Sequence, residues 1–90
     1  MLAKVDSFEI VGPFRVEVRF NDGSSGTHDF SSMVENGRNL IAELQDRSLF
    51  DGVYLDFGAL TWPNGFDISP EWLRREMISA GELRSDVAAE

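Results

Sequence analysis

The cleanest hydrophobic pattern in the chain lies at Phe14, Val16, Val18 and Phe20, which alternate with Arg15, Glu17 and Arg19. Period two with one apolar and one charged face predicts a half-buried strand. The apolar-rich stretch from Val5 to Val11 predicts a strand before it, and Gly12-Pro13 breaks the two apart. Asn21-Asp22-Gly23 follows the alternating strand, and Asp-Gly supplies the positive φ of a tight hairpin. A third strand is expected from about Gly26 to Phe30, with His28 and Phe30 on one face. Three successive strands imply an antiparallel meander. Val53, Leu55 and Phe57 alternate with Tyr54 and Asp56 as a fourth strand. Gly58-Ala59 connects it to a brief fifth at Leu60-Thr61-Trp62, making a second hairpin.

Between the meander and that hairpin the period changes. Ser31-Ser32 can cap a short helix through Met33, Val34 and Glu35, which Gly37 interrupts. Leu40, Ile41 and Leu44 have helical spacing and predict another turn or two before Phe50. After Pro63-Asn64-Gly65 the signals for a helix start are redundant. Ser69 is an N-cap, Pro70 sits at the first helical position, and Glu71 complements the helix dipole. Ile68 and Leu73 have hydrophobic-staple spacing. Leu73, Met77 and Ile78 form the expected buried stripe, and Gly81 ends the helix. The reading is one α+β domain over residues 1–81. It has an antiparallel sheet of about five strands, a short helical segment between the hairpins and one C-terminal helix on the sheet. Residues 82–90 are too poor in apolar side chains to pack and are expected to be a frayed tail.

Composition narrows the class. Ninety residues make one domain, and such a chain buries roughly 60–65% of the surface it exposes when unfolded. No apolar run approaches a membrane span, and Asp6 comes too early for a secretory signal. With no cysteine, disulfides and thiolate metal sites are impossible, and the cytoplasm is the expected compartment. Sixteen acids against eight Lys and Arg give a net charge of −8. The bases are scattered, and Glu71 and Glu76 flank the one pair, Arg74-Arg75. Direct nucleic-acid binding, which needs clustered cations, is not expected. An acidic surface suits a basic protein partner, or serves solubility alone.

Candidate chemistry is sparse. His28 is the one histidine, and its neighbour Asp29 would point to the opposite strand face. A structural or solvated role is the expectation for it. One histidine without cysteine builds no zinc site, there is no EF-hand loop, and no cofactor is expected. Asp56, Asp67 and Glu71 are the candidates for paired-carboxylate chemistry, each with an adequate structural role as well. Trp62 is expected between the second hairpin and the helix. Trp72 falls near the edge of the apolar stripe, as a core residue or, if exposed, as an interface anchor with Phe66 and Arg75. Asn64 and Asp67 are the polar residues that turn, cap and staple leave partly free. The candidate interaction surface is therefore Asn64, Phe66, Asp67, Trp72 and Arg75. Monomer and homodimer both remain open, since an exposed strand edge can pair two copies.

Several segments together carry a family resemblance. They are Phe20-Asn21-Asp22-Gly23, Asp29-Phe30 leading to Leu44 and Phe50, Val53-Tyr54-Leu55-Asp56, and Trp62-Pro63-Asn64-Gly65-Phe66-Asp67-Ile68-Ser69-Pro70-Glu71. In these the chain resembles the small bacterial proteins grouped as domain of unknown function 2442. The resemblance implies an α+β domain with an antiparallel sheet and no established enzymatic activity or functional residues. It also implies occurrence alone, or ahead of a helix-turn-helix, and association with a second small protein in what look like toxin–antitoxin pairs. On that basis the expected function is a non-enzymatic protein-interaction domain, antitoxin-like, binding a small basic protein. The alternatives are a small-ligand or enzymatic domain using carboxylates near Asp67, and an accessory to transcription acting through a DNA-binding partner. The chain ends soon after its helix, so the DNA-binding module is expected to be lacking.

Overall fold

A computed structural model describes residues 2–85. Its α+β class is as expected, but the strands form two antiparallel sheets rather than one. The first sheet takes β1 (Val5–Gly12), β2 (Arg15–Phe20) and β3 (Ser24–Asp29) as a meander. α1 (Ser31–Asn36), α2 (Leu40–Glu43) and α3 (Arg47–Phe50) follow. The second sheet holds β4 (Tyr54–Asp56), β5 (Ala59–Thr61) and β6 (Asp67–Ile68). α4 (Pro70–Ser79) comes next, and β7 (Arg84–Ser85) returns to the free edge of β3. The helical segment carries the chain away from β3, so the second hairpin pairs with β6 instead. The sheets meet where the Val5 N–H donates to the Gly58 carbonyl at 2.8 Å.

The alternation in β2 is realised as read: Val16, Val18 and Phe20 are fully buried. β1 carries a register shift between Val5 and Ser7. That bulge puts Val5 and Phe8 on the same inner face despite their odd spacing, with Ile10 beside them. Phe14, expected to open β2, lies in the turn with φ 58° and packs its ring on Phe50, centroids 5.1 Å apart. The rings of Phe30, Phe50 and Trp62 continue this aromatic cluster through the centre of the core. The Trp62 Nε1–H donates to the Phe50 carbonyl at 2.8 Å, so its one polar group is satisfied inside.

Three turns share one device. Asp22, Asp29 and Asp46 each accept both the backbone N–H and the hydroxyl of the serine two residues on, Ser24, Ser31 and Ser48. α1 is thus held by Asp29 acting on Ser31, not by a serine cap, and its N-cap position is Phe30. The Ser24 hydroxyl, then its N–H, hold the Asp22 carboxyl down to about 2, with Arg74 adding to the effect. The Ser31 and Ser48 hydroxyls likewise lower Asp29 and Asp46.

α4 begins as its sequence specifies, with the Ser69 hydroxyl accepting the Trp72 N–H at 3.3 Å and Pro70 in the first turn. Leu73 and Met77 are buried, which stabilises the helix by about 1.5–3 kcal/mol each. Ile78 is half exposed and does not belong to the stripe. At its end Gly81, with φ 71°, closes a Schellman motif. The Gly81 N–H donates to Ile78, and the Glu82 N–H reaches back to Met77. Residues 82–85 are therefore not part of a frayed tail. The backbone of Glu82 lies so close over Gly26 that a Cβ there would strike its carbonyl. The remainder of the expected tail, residues 86–90, lies outside the described residues.

Candidate functional site

The Trp62–Phe66 segment folds back on itself. The Trp62 N–H donates to the Phe66 carbonyl at 2.8 Å, and the Gly65 N–H donates to the Trp62 carbonyl at 2.9 Å. Gly65, with φ 94°, takes the left-handed position of this turn. Asn64, expected to be partly free, is fully engaged. Its Oδ1 accepts the Phe66 N–H, while its Nδ2 donates to the Leu40 carbonyl and to Glu43 Oε1. Asn64 thereby pins α2 against the turn and sets Ile41 opposite Phe66.

The result is an apolar groove of about 370 Å³, lined by Met33, Ile41, Phe66, Asp67, Ile68, Ser69 and Trp72. Phe66 rests on Trp62, ring centroids 5.7 Å apart, so the groove floor is continuous with the core. Trp72 is 37% exposed, and Asp67 stands exposed at the rim. Phe66, Asp67 and Trp72 thus come together in one site, with Asn64 behind it. Arg75 does not join them. It lines a separate polar cavity of about 360 Å³ with Ala3, Asn21, Asp22, Glu71 and Arg74. There Arg74 clamps Asp22 Oδ2 through Nε at 3.2 Å and Nη2 at 2.8 Å. A third cavity, about 260 Å³ on the outer face of the first sheet, is charged and internally paired, with Arg84 Nη2 3.3 Å from Glu17 Oε2.

The carboxylates weighed for acid–base chemistry do not converge. Asp67 borders the groove, Glu71 the polar cavity, and Asp56 the β4–β5 turn. Among the described residues, no cluster of three or more His, Asp or Glu could hold a metal ion. His28 meets Glu82, its Nδ1 2.7 Å from Oε1, with its ring edge-on to Phe30 at 4.7 Å. Asp29 is turned to Ser31 instead, so the neighbouring pair forms no relay.

The family model described as Protein of unknown function (DUF2442) matches residues 5–79. The chain belongs to this family. No curated protein and no solved structure matches it. The matched stretch contains every residue of the groove, so the groove belongs to the DUF2442 domain itself. It ends before Glu82 and β7, which close the first sheet from outside the matched residues. None of the described helices of this DUF2442 chain is long and apolar enough to cross a membrane.

Two parts of the surface had no signal in the sequence. Met33 and Ile41 sit on separate short helices, and only the fold places them beside Phe66. Phe57 read as the third apolar position of a strand, yet it is 93% exposed. The strand stops at Asp56, and Phe57-Gly58 form a two-residue turn with φ 50° and 81°.

Proposed function

We propose that this DUF2442 chain is a non-enzymatic protein-interaction domain of a bacterial cytoplasmic pair, antitoxin-like in role. Its recognition surface is the groove between α1–α2 and β6–α4. The partner is a small basic protein that lays an apolar segment across Phe66 and Trp72 and turns its cations toward Asp67. The observation that carries this reading is the groove itself: apolar throughout its floor, with a half-exposed tryptophan on its wall and an acid on its rim. Aromatic residues in such settings are the usual anchors of protein interfaces. The net charge of −8 supports the sign of the partner, because it steers cationic proteins toward the domain. The enzymatic alternative gains no support from carboxylates that lie apart. The transcription-accessory alternative gains none from any described residue.

The test is to co-express the chain with small basic proteins encoded beside it and to titrate each purified pair. A neutralised toxicity and a 1:1 complex that Trp72→Ala weakens at least tenfold are the expected results. A complex indifferent to both Trp72→Ala and Phe66→Ala would overturn the groove as its site. Absence of any interacting neighbour would overturn the paired role.

A further inference from the structure

Two phenylalanines in this chain occupy turns with positive φ. Phe14 is held there by its ring contact with Phe50. Phe57 has no such return, since its side chain projects almost wholly into solvent. An aromatic residue in a left-handed turn position is strained, and an exposed one gains nothing by burial. The turn beneath it is nevertheless firmly held. The Val5 N–H donates to the Gly58 carbonyl, and the Lys4 side chain lies directly on the face of Gly58. Phe57 is thus displayed at a fixed place, the condition under which an anchor binds with little loss of freedom.

We infer that Phe57 is a self-association anchor that inserts into the Met33–Ile41–Phe66–Trp72 groove of a second copy. The groove has room for a phenyl ring and an apolar lining to receive it. Both features belong to the second sheet. Phe57 closes the β4–β5 turn, and the groove follows β6 on the far side of β5, whose Leu60 faces Ile68. With anchor and groove on one sheet, a two-fold axis lets two copies exchange anchors reciprocally and leave neither unfilled. The charges agree: Lys4 stands beside the anchor and Asp67 at the rim of the groove. This contact uses the groove but does not depend on a heterologous partner, and such a partner would have to displace it.

Sedimentation over a concentration series tests the proposal. The wild-type chain is expected to dimerise, and more strongly as salt rises, because each copy carries −8. A basic partner would respond to salt in the opposite sense. Phe57→Asn is the decisive variant, because asparagine suits the turn better than phenylalanine and keeps the fold. It is expected to leave the melting temperature equal or higher while weakening self-association about a thousandfold, each dimer losing two anchors. Ile41→Asp should weaken it from the groove side. Lys4→Glu should weaken it too, and Asp67→Lys in the same chain should restore it. A wild-type chain that stays monomeric at the highest concentration, or a Phe57→Asn chain that dimerises like wild type, overturns the proposal.

Discussion

Single residues carry more of this structure than their neighbours in sequence suggest. Trp62 fills the centre of the aromatic cluster and satisfies the Phe50 carbonyl. Trp62→Ala is expected to destabilise the fold by about 3–5 kcal/mol in denaturant unfolding. Trp62→Phe should cost less, because it removes one of the two bonds that the Phe50 carbonyl accepts and leaves the one from the Val53 N–H at 3.2 Å. Asn64 joins the turn to α2 through two donated bonds. Asn64→Asp would set a second carboxylate against Glu43, and a loss of about 1 kcal/mol or more is expected, with a weakened groove-bound complex. Asp22 makes a pH-dependent contribution. Its folded value of about 2 lies below the ordinary 3.8, so the stabilisation is complete above the unfolded value and fades as pH falls through the folded one. Acid titration of stability should therefore show a loss between about pH 4 and pH 2 that is reduced in Asp22→Asn. The Asp-x-Ser spacing behind that shift was visible in the sequence at all three places. Asn64 looked partly free because its acceptors, Leu40 and Glu43, lie more than twenty residues away.

Elements were legible in proportion to how local their causes are. α4 has cap, proline and terminal glycine within thirteen residues, and all three act as their chemistry dictates. Ser69→Ala is expected to lower stability by about 1 kcal/mol, measured by thermal or denaturant unfolding. β6 and β7 have two residues each, too few to show a period, and their partners were invisible without the fold. β7 depends on one small residue below it. Gly26→Ala would collide with the Glu82 backbone, so residues 82–85 should lift from β3. The expected outcome is faster amide exchange and proteolysis there, with the β1–β2 hairpin unchanged.

At the scale of the molecule, class and family were within reach of pattern alone, whereas the arrangement into two sheets was not. Alternation tells a strand which face to bury, but says nothing about which strand lies beside it. The groove needed the most assembly. Phe66, Asp67 and Trp72 were close enough in sequence to be grouped, while Met33 and Ile41 arrive through two short helices. Binding of a basic partner should weaken tenfold or more between about 0.05 and 0.5 M salt, checked by titration calorimetry, if charge contributes as the −8 surface suggests. The position of β7 also has a meaning in time. The edge of β3 is covered by Arg84 and Ser85, made some sixty residues after the Ser24 and Ser25 they pair with. A growing chain must carry that edge open through the synthesis of both later hairpin and helix. Crowded on a polysome, it is during this interval that one nascent chain is most exposed to the wrong strand of another.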